Sequence, residues 1–259
     1  MIDLSLVEMI LYMVEVVFTS IIVVFTARKM IGRKNSYLPA FFTFAMVSYL
    51  LSTLYWIAFT ILRPDTRMPF AADEIAECAM LLLLSAGIVA DKKAERKFVL
   101  TEVIYTALFC AANISLWICW SGEWVQDIIF GLPYAYFLWL IIRGLSDTKA
   151  ISKTERVIVR TACCLMVVSQ FLILIASEQY QVVLDICGYI LMLGMLLWLL
   201  IKSLKCRNLF LSYAFFLGTM FVSFACSDIF YCIATVFQIA ALPIMYLTMK
   251  NELNRGDKN

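Results

Sequence analysis

Residues 5–27 carry only two charged side chains, Glu8 and Glu15. A helix that crosses the ~30 Å hydrocarbon layer needs about 20 mostly apolar residues, so this one run is already long enough. Similar runs recur near 37–62, 68–90, 98–119, 125–142, 161–177, 182–201, 209–229 and 231–249. Inside a bilayer the backbone must satisfy its own hydrogen bonds, and a string of such runs can do so only as helices. The expectation is an all-α, polytopic transmembrane bundle of nine spans, with eight as the fallback. Residues 1–249 form one helical domain and 250–259 a short cytoplasmic tail.

Composition agrees. The chain is 63% hydrophobic and 15% charged, whereas a soluble domain runs nearer half apolar and a quarter charged. Too few polar groups remain to cover a soluble surface, and disordered, collagen-like and disulfide-scaffold classes fall for the same reason. A net charge of +2 supplies no field to hold nucleic acid. Residues 209–249 as one helix would reach about 60 Å, so the chain is expected to fold back near Ser227 and Asp228. Pro133 and Pro243 fall inside spans five and nine and are expected to interrupt them.

Under nine spans, 19 of the 21 Lys and Arg residues fall on one side, in the segments 28–34, 92–97, 143–160, 202–207 and 250–258; only Arg63 and Arg67 lie opposite. Basic residues in short loops stay cytoplasmic. This predicts an outer amino terminus, an inner carboxyl terminus and a plasma or inner membrane location. The first run has no basic residue before it and Arg28-Lys29 after it, so it reads as a retained span rather than a secretory signal. Loops under about 20 residues leave no room for a soluble domain.

Missing residues exclude much chemistry. With no histidine in the chain, Ser-His and Cys-His nucleophile pairs and His-based zinc sites are ruled out. No lysine lies deep in a span to carry a Schiff base, and the nine glycines form no phosphate-binding loop. Nine cysteines include no C-x-x-C pair and read first as small buried residues, although pairing among Cys119, Cys226 and Cys232 stays open. Trp117, Trp120 and Trp124 read as an interfacial belt at an outer helix end. No cofactor is expected, and an enzyme is not the favoured reading.

The informative residues are carboxylates. Glu8, Asp73, Glu74, Glu77, Asp127, Asp185 and Asp228 map to the outer half, Glu15 nearer mid-depth and Glu102 to the inner half of span four. A charge at mid-depth costs roughly 2.5–3.5 kcal/mol on insertion scales, so such groups face the bundle interior, a cavity or a partner. Glu8 and Glu15 share one helix face, as do Glu74 and Glu77. Asp73 points elsewhere and reads as a helix cap. No base shares their depth, so a buried carboxylate there is either protonated or bound to a cation. Tyr12, Ser52, Thr53, Tyr55, Asn113, Gln170, Gln181 and Gln238 are available to hydrogen-bond. The candidate site is an outward pocket of Glu15, Glu74, Glu77, Asp185 and Asp228 that takes a cation or an amine-bearing small molecule.

Residues 48–56 and 223–231 match at an offset of 175, with serines and aromatic pairs in register, as a parallel repeat would give. Tyr55-Trp56, the stretch Met68-Pro69-Phe70-Ala71-Ala72-Asp73 and the apolar run to Gly87 resemble bacterial multi-span sensor regions, and Ser227-Asp228-Ile229-Phe230-Tyr231 resembles the Asp-aromatic element of their later helices. Such regions precede output domains, diguanylate cyclases among them. The likeness covers about a fifth of the chain, departs at Pro133-Tyr134-Ala135-Tyr136, and no output domain follows Lys250. It implies an input module acting through a separate cytoplasmic signalling protein. Two alternatives stand beside it. One is a cation- or proton-coupled small-molecule transporter; the other is a lysoplasmalogenase-like hydrolase using Glu77 with Asp228, although the paired Gly-Asp motif is missing.

Overall fold

The computed structural model describes residues 4–32, 36–63, 72–91, 99–122, 124–148 and 150–256. Among them are nine α-helices and no strand: α1 (Leu4–Gly32), α2 (Leu38–Leu62), α3 (Ala72–Ala90), α4 (Leu100–Ser121), α5 (Trp124–Asp147), α6 (Lys153–Ile175), α7 (Glu178–Cys206), α8 (Leu209–Ala225) and α9 (Asp228–Gly256). Seven of them are long and apolar enough to cross a membrane. The other two are α3, which has three acids in its first two turns, and α8, which has only 17 residues. The chain is a multi-pass membrane protein built as an all-α bundle. Of the basic residues that set the expected orientation, Arg33, Lys34, Arg67, Lys92, Lys93, Arg96, Lys97, Lys149 and Lys258 lie outside the described residues.

Helix α8 is apolar all round, and a helix of that kind belongs in the interior. It packs against α5, α7 and α9, with Tyr213, Phe215, Phe216 and Leu217 fully buried. The rest of the bundle closes around it: α1 lies against α2 and α9, α2 against α3, α3 against α5, α5 against α4, and α6 against α4 and α7. Because lipid is as apolar as the interior, close packing and polar contacts between helices hold such a bundle together. The hydroxyls of Ser212 on α8 and Thr248 on α9 meet at 2.7 Å, and Ser146 on α5 donates to Glu102 on α4 at 3.0 Å.

Helix ends follow local chemistry. At Gly122 (φ +72°) the chain leaves α4 through the left-handed region, which glycine enters without a Cβ penalty. Helix α8 stops at Cys226, whose backbone is extended, and α9 starts at Asp228, so 209–256 is two helices with the reversal where the sequence placed it. Helix α6 begins at Lys153, eight residues before the apolar run near 161. Ser152 and Glu155 form a capping box there: the Ser152 hydroxyl accepts from the Glu155 N–H at 3.2 Å and the Glu155 carboxylate from the Ser152 N–H at 2.9 Å. Glu155 also pairs with Lys202 at the far end of α7. Replacing Ser152 by Ala should lower unfolding stability by about 1 kcal/mol, measurable by thermal unfolding in detergent.

Three expectations need correction, and one question left open is answered. Pro133 and Pro243 do not interrupt their spans; α5 and α9 run through both. A proline removes one backbone bond, and neighbouring helices and local adjustments offset that loss in a bundle. The 175-residue repeat is not structural, because 48–56 lies within unbroken α2 while 223–231 straddles the α8–α9 reversal. Trp117 is no belt residue: it is 7% exposed, with Phe130, Tyr134 and Phe224 rings 5.5–5.8 Å away, while Trp120 and Trp124 are exposed. All nine cysteines are free, so Cys119, Cys226 and Cys232 form no disulfide. In addition, α9 continues through residues 250–256, so most of the expected tail is helical.

Candidate functional site

Polar side chains recur at helical spacing on three helices. Helix α1 carries Glu8, Tyr12, Glu15 and Thr19; α2 carries Tyr49, Ser52, Thr53 and Trp56; α9 carries Tyr231, Thr235 and Gln238. Steps of three, four and seven place each set on one face. The fold turns these stripes toward one another, with the first turns of α3 and the last turn of α8 closing the sides. The partly open cavity between them is about 200 Å³. It lies at the end of the bundle where α1, α3 and α9 begin and α2 and α8 finish. Glu15 lies roughly 16 Å along α1 from Leu4, at ~1.5 Å per residue, near the middle of a hydrocarbon layer.

Four carboxyl groups line this cavity: Glu15, Asp73, Glu74 and Glu77. Glu15 is 2% exposed and accepts from the Tyr49 hydroxyl, whose oxygen in turn accepts from the Gln238 amide. The chain Gln238–Tyr49–Glu15 thus ties α9, α2 and α1 together at the cavity floor. Ser52 donates to Glu77 at 3.3 Å, and Gln126 on α5 donates to Glu74. Glu77 lies within electrostatic reach of both Glu15 and Asp73, and Glu74 of Asp73. Asp73 Oδ1 and Glu74 Oε2 are buried with no donor among the described residues other than a proton the two carboxyl groups share between them. A buried acceptor in that state costs roughly 1–3 kcal/mol, more when charged.

Aromatic rings complete the wall. The Tyr12 and Trp56 centroids are 4.0 Å apart, and the Tyr12 and Tyr231 hydroxyls are hydrogen-bonded across α1 and α9. No Lys or Arg among the described residues lines the cavity. Among the described residues, no three Asp, Glu or Cys side chains are grouped closely enough to hold one metal ion. The acids are spread around a space rather than converging on a point.

Three of the five expected site residues, Glu15, Glu74 and Glu77, meet at this cavity. Asp185 is on α7, near Cys226 and away from the lining. Asp228 is the first residue of α9, and its side chain lies outside the described residues. Of the expected hydrogen-bonding residues, Tyr12, Ser52, Thr53 and Gln238 line the cavity. Tyr55 stacks toward Phe59, Asn113 donates to the Phe109 carbonyl, and Gln181 donates to carbonyls at the α6–α7 turn; Gln170 sits beside Gly188. Asp73, read from sequence as a cap, is a lining carboxyl. Tyr49, Trp56, Tyr231 and Thr235 were legible in the polar stripes above, which their aromatic and hydroxyl character disguised as ordinary packing.

Comparison with known proteins finds no matching family model, no matching curated protein and no matching solved structure. The chemistry of the site therefore rests on its own geometry.

Proposed function

We propose that this protein is a receptor-like sensor module of the plasma or inner membrane that binds a small amine-bearing molecule in the acidic cavity and acts through a separate partner. One observation carries the reading: among the described residues, four carboxyl groups share a cavity with no basic side chain, and two of their oxygens lack a donor outside the acids themselves. An ammonium group brings three donors and a positive charge. The Tyr12, Trp56 and Tyr231 rings would add cation–π attraction of about 0.5–2 kcal/mol. A spread of acids around some 200 Å³ suits an organic cation better than a bare metal ion, which needs its ligands converged at 2.0–2.6 Å, about the length of a metal–oxygen bond.

The charge distribution orients the molecule with the acidic cavity outside and the basic end facing the cytoplasm. A reporter fused after Asn259 should then be active only in cytoplasmic form; phosphatase activity there would reverse the orientation. For the ligand, the purified protein in nanodiscs is heated with small primary and quaternary amines and with alcohols of matched shape. At least one amine should raise the unfolding temperature while its alcohol does not, since a ligand at 100 times its Kd stabilises by about 2.7 kcal/mol. No shift from any amine, or equal shifts from the alcohols, would remove the proposal. Accumulation of the amine in proteoliposomes driven by a proton gradient would make the chain a transporter instead.

A further inference from the structure

A second cavity, about 170 Å³, runs from the bundle end where α5 finishes and α4 and α6 begin, inward along α7 and the second half of α8. Its wall is almost wholly apolar, with Met192, Trp198 and Leu217 among the contributors. An engineered apolar cavity of ~150 Å³ stays dry and takes benzene-sized ligands, so water is a poor occupant for this one. The cleft is not uniformly greasy, however. Arg156 and Arg160, one turn apart in the opening turns of α6, both line it.

Neither arginine has a carboxylate partner among the described residues. Arg160 instead lies over the Tyr105 ring, 5.1 Å from its centroid. The nearest acid in sequence, Glu155, is occupied by Lys202 and by the Ser152 cap. Two half-buried guanidinium groups at the edge of an apolar space fit an anionic amphiphile and reject a neutral one. Guanidinium binds phosphate through paired, charge-assisted hydrogen bonds. The remaining basic residues at this end add attraction for anionic lipid.

We propose that this cleft is a binding site for a membrane lipid with an anionic phosphate headgroup, a segment of one acyl chain lying between α5, α6, α7 and α8 and the phosphate held by Arg156 and Arg160. The site is independent of the acidic cavity and stands whether or not that cavity takes an amine. Among the described residues only α8 contributes to both walls, through Met220, Ser223 and Phe224 on one face and Leu217, Phe221 and Val222 on another.

The test is lipid retention by the full-length protein, measured by native mass spectrometry from nanodiscs with equal phosphatidylglycerol and phosphatidylcholine of identical chains. The wild type should retain phosphatidylglycerol at least fivefold over phosphatidylcholine, and millimolar inorganic phosphate should not displace it. The double variant R156Q/R160Q should retain the two lipids equally, with its unfolding temperature checked in detergent. A second measurement needs no arginine variant: phosphatidylglycerol brominated along its chains should quench a fluorescence component that disappears in W198F. Equal retention of both lipids by the wild type, an undiminished preference in the folded double variant, displacement by inorganic phosphate, or quenching unaffected by W198F would each overturn the proposal.

Discussion

Glu77→Gln lowers the affinity for the amine at least tenfold while leaving the unliganded protein as stable as the wild type. The two halves of this result have separate causes. A charge-assisted hydrogen bond contributes roughly 1.5–3 kcal/mol, and every 1.4 kcal/mol is a factor of ten in Kd. Without ligand, Glu77 accepts from the Ser52 hydroxyl at 3.3 Å and has Glu15 and Asp73 within electrostatic reach, with no basic partner among the described residues. With no cation bound the Glu77 carboxyl is neutral, so the neutral amide loses no charge interaction, and it keeps the size and the oxygen that Ser52 needs. Titration of amine into the purified variant, alongside its thermal unfolding, reads both. Unchanged affinity would remove Glu77 from the site; a large loss of stability would make it a structural residue. Tyr49 offers the contrast, since Tyr49→Phe breaks the link between Glu15 and Gln238 and should reduce stability as well as binding.

Gly144→Ala destabilises the bundle by about 1–3 kcal/mol, the usual cost of overpacking a filled interior. A methyl group at Gly144 would run into the ring of Phe210, which is 3% exposed at the start of α8. The ring has little free space to enter, because it belongs to the buried core. Gly194 is the control: a Cβ there meets nothing. Gly194→Ala should therefore be neutral or stabilising by up to about 1 kcal/mol, the helix propensity difference. Thermal unfolding of the two variants in the same detergent measures the difference. Similar behaviour of both would show that α5 and α8 do not make the close approach at Gly144.

A different kind of contrast is found at the beginning of α6. Hydropathy places the span near 161 because Lys153, Glu155, Arg156 and Arg160 look like loop. The helix starts at 153 because the capping box satisfies its first N–H groups, and the extra turns aim both arginines at the apolar cleft. Hydropathy measures the cost of immersing a side chain in lipid. It does not register a polar residue that turns inward against other helices, as Asp73 does at the cavity wall.

The helical character of the chain, its passage through a membrane and the reversal at 226–228 were determined by sequence alone, because each follows from a one-dimensional quantity: apolar length measured against bilayer thickness. Glu74 and Glu77 sharing a face also follows from helical period. Which stripes meet is not a local property. Tyr12 and Tyr231 are 219 residues apart yet hydrogen-bonded, and nothing near either one encodes the other. Only the packing of α1 against α2 and α9 decided that Glu15 and Gln238 would share Tyr49, that Asp185 would fall outside the cavity, and that α8 would separate two cavities of opposite chemistry. Between helices in an apolar solvent the choice of partner depends on the shape of whole faces, which no single span contains.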